Sequence, residues 1–500
     1  MKKFFFPLLF VVLLFGCIPQ KTVEKQPAVS SLEAELQKLR EAGIPTTVEE
    51  LNLQEIPDQE NGSLVFREVF KIIDGLYQQH KEEWEYFPAE GSIRWEEVPE
   101  AKKKQVMDLI LHNPEFIRMY QLLDEASLMK SRSLTRDDLQ KWISEFPDGT
   151  LSFSLLPKMR RCARLLCAKA TIESDCGSID NALNACITGL RLGKSISDEP
   201  FLISQMVRMA LDAIATASLE KIIQKGDGDS KLYQALIDEI KTEISASMIK
   251  HGMPGDLIIN DLPRFSYWRK QGEEMFIFNE DDRKTLETIK EHFKDMPGDN
   301  TQRIAVTEKR LQEKRTALKE AYLKSGYETP QVFVDMQEVF YLDKILTVFN
   351  LTRSPLWEAR KETQKIDDEI RKAPKEEAIL SHEILLPENT SMFTGWFKQE
   401  ARTKACLGAA EIGLANRIYR QKHGKFVSSL RQLTPEIIPA LPLDPFTGKN
   451  YIYRKKDKGF IVYSVADNLK DDGGFSQNEK NGWQDDFDIV WEDNGAISAR

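Results

Sequence analysis

Cysteine is scarce: six residues in a chain of 500. That excludes a small fold built on disulfides. Glycine (26) and proline (22) sit near average usage, which excludes collagen-like and low-complexity chains. Positive charge is in deficit. Sixty-nine Lys and Arg face seventy-nine Asp and Glu, a net charge of -10. Such a surface repels phosphate backbones, so nucleic acid is excluded as a first-choice partner. Familiar catalytic signatures are missing as well. There is no Gly-x-Ser-x-Gly and no His-Glu-x-x-His, and the six histidines are dispersed without metal-like spacing. Gly189-x3-Gly193-Lys194-Ser195 is one residue short of a phosphate loop and lies inside a helical pattern. Ser218-x2-Lys221 and Ser247-x2-Lys250 match a Ser-x-x-Lys pattern with no companion motif, which reads as chance. Beyond residue 15 no uninterrupted apolar run approaches the length of a membrane span. What is present is 41% apolar and 30% charged residues, a folded composition with material for more than one core.

The first seventeen residues carry an address. Met1-Lys2-Lys3 is a basic start, and Phe4–Phe15 is apolar but too short to span a bilayer. Leu14-Phe15-Gly16-Cys17 then resembles a bacterial lipobox. The resemblance implies a lipoprotein signal peptide over residues 1–16 and acylation of Cys17. Two or three chains are needed because a single chain binds membranes only marginally. Loss of Lys2 and Lys3 takes the charge from -10 to -12. Residues 17–30 read as a tether. The expected location is the cell envelope, lipid-anchored, on the outer membrane facing the periplasm.

Residues 31–394 read as a helical body of one or two lobes. Met159, Cys162, Ala163, Leu166 and Ala170 form one apolar stripe, and Asp175-Cys176-Gly177-Ser178 makes a turn. Ile179, Ala182, Leu183, Cys186, Ile187 and Leu190 follow on a second helix, and residues 201–224 supply a third. This predicts a helical-hairpin array, although no fixed repeat period is found. Residues 300–325 and 355–377 are charged with a narrow apolar seam, so charged helical arms are expected within 300–377. Cys167 and Cys186 face each other if the hairpin turns near Gly177. Either they form a disulfide or they pack as small buried residues.

The character changes near residue 395. A helix ends at Tyr419-Arg420-Gln421-Lys422-His423-Gly424-Lys425-Phe426. A Pro-rich loop, Ile438–Gly448, follows, and short strands are expected at Tyr451–Arg454, Gly459–Val465 and Asp488–Trp491. These pieces resemble, in order and spacing, the C-terminal globular domain of the type II secretion major pseudopilin. The whole chain resembles bacterial lipoproteins that join a helical body to such a module. The fold class expected is therefore mainly α, a helical-hairpin array followed by a small pseudopilin-like α+β domain over 395–500. The resemblance also implies calcium in the acidic loop. Asp467, Asp471, Asp472, Asp485, Asp486 and Asp488 supply oxygen donors for such a hard cation. An ordinary solvated acidic loop is the alternative. The departures matter equally. Lys398, Glu400, Arg402 and Lys404 occupy the place of a pseudopilin's membrane helix, so the chain is not expected to be a filament subunit. Function does not follow from fold. The leading expectation is a non-enzymatic, lipid-anchored scaffold or protein-binding component whose partners are other envelope proteins. An envelope hydrolase, or a small-ligand or glycan-binding protein with a site in the helical body, stays open beside it.

Overall fold

The computed structural model describes residues 28–91, 93–131, 135–145, 155–293, 300–385, 392–475 and 487–496. Cys17, the signal segment and most of the tether lie outside the described residues. The chain is mainly helical and ends in a small antiparallel sheet, as the sequence pattern predicts.

Helix α1 (Ala28–Glu41) is followed by α2 (Gly62–Gln79), the short α3 (Lys81–Trp84), α4 (Glu100–His112), α5 (Pro114–Ser127) and α6 (Arg136–Glu145). The hairpin of α7 (Leu155–Asp175) and α8 (Ile179–Ser195) leads to α9 (Leu202–Ile223) and α10 (Ser230–Ser245). Helix α11 (Met248–Asp256) runs through a π-turn at Leu257–Asp261 into α12 (Leu262–Gln271). Then come α13 (Glu280–Phe293), α14 (Asn300–Ser325), α15 (Pro330–Leu351), α16 (Leu356–Lys372), α17 (Lys375–Leu385) and α18 (Met392–His423). Local chemistry sets several of these ends. The Asn113 side chain accepts from the backbone N–H of Glu115 and Phe116, with Pro114 at the first position of α5. Thr329 and Pro330 start α15 in the same way. Gly177, at φ +81°, makes the turn between α7 and α8.

Helices α7, α8 and α9 pack mutually and form the centre of the body. By length and composition α9 is apolar enough to cross a membrane, a property that scanning for unbroken apolar runs misses. It is instead packed against α7, α8, α11 and α18. The charged stretch 300–377 divides in two. The first half of α14 is largely exposed, and Arg315 ties this helix to Asp282 by a bidentate pair at 3.0 Å. Helix α16, by contrast, buries Ala359, Ile366 and Ile370 and packs on α18 and α15, so it is not an arm.

Strands β1 (Ile452–Lys455), β2 (Phe460–Ser464) and β3 (Ile489–Asp493) form an antiparallel sheet in the order β1-β2-β3. Tyr463 pairs with Ile452 on one side and Val490 on the other. The sheet packs on α18. Gly408 and Gly413 make this approach possible. A Cβ at Gly408 would overlap the Tyr451 hydroxyl, and one at Gly413 would overlap the Trp491 indole.

The main hydrophobic cores do not divide at residue 395. One core joins α2, α5, α7–α10, the second half of α18 and the sheet. The other joins α1, parts of α11, α12 and α14–α17, and the start of α18, where Phe393 and Phe397 lie. Helix α18 belongs to both. The C-terminal segment therefore shares a core with the first lobe, and residue 395 is a change of local character rather than a break in packing.

Candidate functional site

Among the described residues the structure holds cavities of about 780, 480 and 340 Å³. The first is a cleft between α7 and α9. Its α7 wall carries Arg164, Cys167, Thr171 and Ser174. The α9 wall carries Ile214, Ala217, Ser218, Lys221 and Ile222. Residues 88–91 and 93–96 form a rim, with Asn494 from the C-terminal tail at one edge. The rim is fastened at both ends. Arg161 donates to Glu90 at 2.9 Å, with Arg164 at 3.5 Å. The Trp95 indole N–H donates to Asp175 at 2.7 Å, and Lys225 pairs with the same carboxylate. Within the rim Ala89 adopts φ +62°, a left-handed conformation uncommon for a side-chain-bearing residue.

The lining has an unusual charge balance for an acidic chain. Arg94, Arg164, Lys221 and Lys225 line it, against Glu96 alone among described acidic residues. Three of the cations are matched by carboxylates outside the lining: Arg94 by Glu97, Arg164 by Glu90 and Lys225 by Asp175. Lys221 is exposed and makes no ion pair or hydrogen bond among the described residues. The Ser218-x2-Lys221 pattern thus falls in the cleft, but not as a catalytic pair. The Ser218 hydroxyl is buried, without an oxygen or nitrogen partner, against the thiols of Cys167 and Cys186.

Of the two readings of those thiols, disulfide or buried packing, the structure has the packing one. Cys167 and Cys186 form no disulfide; both are buried free thiols. Cys167 Sγ donates to Ile214 O at 3.5 Å, and the Ser218 hydroxyl lies near both sulfurs without a hydrogen-bond partner of its own. Burial pushes the Cys167 thiol up to about 11, and Ser218 pulls it slightly the other way. Cys186 is raised by burial first, then by its neighbour Cys167. The hairpin brings the pair together, yet each packs as a small buried residue.

The acidic loop splits. Asp467 is not placed as a calcium ligand. Its carboxylate is held by Arg360, by Lys398 at 2.6 Å and by Arg402 at 3.8 Å, so protein cations already neutralise it. Ala466 and Leu469, which stand where glycine would ease the turn, both adopt positive φ. Asp471 accepts from Tyr463 at 2.8 Å and from Arg454 at 2.9 Å; the Tyr463 bond first, then the Gly473 N–H and Arg454, hold its carboxyl low. Asp472 accepts from Asn468 at 2.7 Å. Asp488 accepts from the Gly474 N–H at 2.8 Å through one oxygen, while the other is buried without a partner. Burial raises its carboxyl, and the charges of Asp472 and Asp471 add to the effect. Asp485 and Asp486 lie outside the described residues. Among the described residues no three potential ligands gather as a metal-binding group.

Two buried constellations escaped the sequence reading. Arg417, fully buried, donates to both oxygens of Asp493 at 2.5 and 2.6 Å. It also donates to Asp227 at 2.7 Å and to the carbonyls of Ile223 and Ala496. An arginine between Leu414 and Ile418 on an apolar helix was the available signal. The second constellation lies at the π-turn, where extra-turn geometry often marks functional segments. Asp256 accepts from the Leu202 N–H at 2.5 Å and from Asn260 at 3.0 Å, capping α9 from another helix. Tyr341 donates to Asp261. Burial, first among the causes, lifts Asp256 to about 7 and Asp261 to about 6.

No protein-family model, curated protein or solved structure matches this chain.

Proposed function

We propose that this chain is a non-enzymatic binding protein of the cell envelope. Acylated Cys17 anchors it to the outer membrane, where it faces the periplasm and serves other envelope proteins as a scaffold or binding partner. The observation that carries the binding role is the 780 Å³ cleft between α7 and α9. It falls within the roughly 300–1,000 Å³ of small-molecule sites and is held open by a fastened rim. The test places a photo-crosslinking residue at Ala217 in native membranes, with the same residue at exposed Lys309 of α14 as control. A discrete adduct forms at Ala217, is weak or missing at Lys309, and falls when Cys17→Ser removes the anchor. Equal labelling at both positions would sink the binding role. Unchanged membrane partitioning in Cys17→Ser would sink the anchor.

The C-terminal loop belongs to the same reading as a calcium-stabilised element, now without Asp467. Support comes from the unpartnered, buried Asp488 oxygen beside Asp472. A calcium ion there would be coordinated by the carboxylate oxygens and would stiffen the loop. Full-length protein should melt at a higher temperature in millimolar calcium than in chelator, and Asp488→Asn should abolish the difference. A native chain whose melting ignores calcium would remove the metal from this account.

A further inference from the structure

The cleft has a chemistry that narrows its ligand. Its floor is apolar on one side, where Ile93, Ile214, Ala217 and Ile222 line it. Such a surface favours hydrocarbon over a fully polar solute. Lys221 stands on the same helix face as Ala217 and Ile214, one helical turn from each neighbour in the series. The three other cations already have carboxylate partners, so they set a positive surround without offering full charges. Lys221 alone offers an uncommitted ammonium among the described residues. One free cation beside an apolar floor matches a single negative head on a hydrocarbon body. A multiply charged phosphate would need several uncommitted cations.

We infer that the α7–α9 cleft binds an amphipathic organic anion, with a carboxylate-type head at Lys221 and its apolar body along Ile214, Ala217 and Ile222. This rests on the binding role proposed for the cleft and names its ligand class. Selectivity comes from the head. A neutral molecule of the same length gains the apolar contact but not the attraction of its head to the exposed Lys221 ammonium. Arg164 and Arg94 hold the potential positive while remaining tied to the rim, so they steer the head rather than grip it.

Calorimetry on the full chain carrying Cys17→Ser tests this with two probes, octanoate and octanamide. Octanoate should bind, octanamide should bind at least tenfold more weakly, and Lys221→Glu should weaken octanoate at least tenfold. Ala217→Trp, which fills the cleft from an exposed position, should abolish octanoate binding while leaving the helical circular-dichroism signal intact. Equal binding of the two probes would overturn the anionic class and leave the binding cleft standing. Binding of neither probe would overturn the amphipathic-anion assignment, while the binding role of the cleft stands or falls separately on the Ala217 crosslink. Octanoate binding unchanged by Lys221→Glu and Ala217→Trp would place it elsewhere and overturn the assignment.

Discussion

Replacing Arg417 with alanine should lower the stability of the chain by about 3–5 kcal/mol, the usual result of breaking a buried ion pair from one side. The cause is the carboxylate left behind. Asp493 is fully buried, and both its oxygens accept from Arg417. Without the guanidinium, that charge stays in the core or takes up a proton. The carbonyls of Ile223 and Ala496 lose donors in the same step. Urea denaturation of the full chain measures the loss. Arg420 is a useful contrast, because it shares Asp227 but lies nearer solvent. Arg420→Ala should cost clearly less. The double change Arg417→Met with Asp493→Leu removes both charges and should recover much of the lost stability. A single mutant with an unchanged denaturation midpoint would show that the cluster contributes little to holding the tail.

The second large effect is a dependence on pH opposite to ordinary acid unfolding. Burial lifts Glu411 and Glu220 to about 7, as it does Asp256. Glu411 has Lys241 at 3.6 Å, which offsets only part of its desolvation. A carboxyl whose folded value exceeds its unfolded value binds its proton more tightly when folded. Its contribution is complete below the unfolded value and disappears as pH rises through the folded one. The chain should therefore resist denaturant better near about pH 5.5 than near about pH 8. Glu411 alone should supply about 2 kcal/mol of that difference. Glu411→Gln should flatten the profile by that share. A midpoint that rises steadily from acid to alkaline conditions would refute the assignment. Asp471, Asp138 and Glu50 are held low by hydrogen bonds, and their opposing effect belongs to more acidic conditions.

Much of the architecture was legible in the sequence because it repeats locally. The α7–α8 turn showed as Asp175–Ser178, and the three strands fell within a residue or two of their predicted places. The first half of α14 carried its exposure in its charge. The joint at residue 395 misled, because Lys398 to Lys404 mark a fresh amphipathic pattern without saying what it packs on. The apolar faces of α16 and α10 that cover α18 come from distant sequence. The same reason hid the cleft, whose walls are drawn from residues near 90, 165, 215 and 494. Asp467 shows the limit of composition. Six aspartates in a short stretch have one local chemistry, and the structure diverts one of them to Arg360 and Lys398 on other helices. Cys167 and Cys186 show that a hairpin can bring two thiols together and use them as buried packing residues without a bond between them.

Helix α18 also sets a schedule. Synthesis delivers residues 62–240 early, and they contain most of the first core. That core still lacks Leu407–Tyr419 and the sheet until the end of the chain arrives. Arg417 reaches Asp227 across 190 positions of sequence. The N-terminal helices must therefore wait with apolar surface uncovered, a state prone to association. A chain stopped before α18 would not be a shorter version of the protein. It would be an intermediate that never closes.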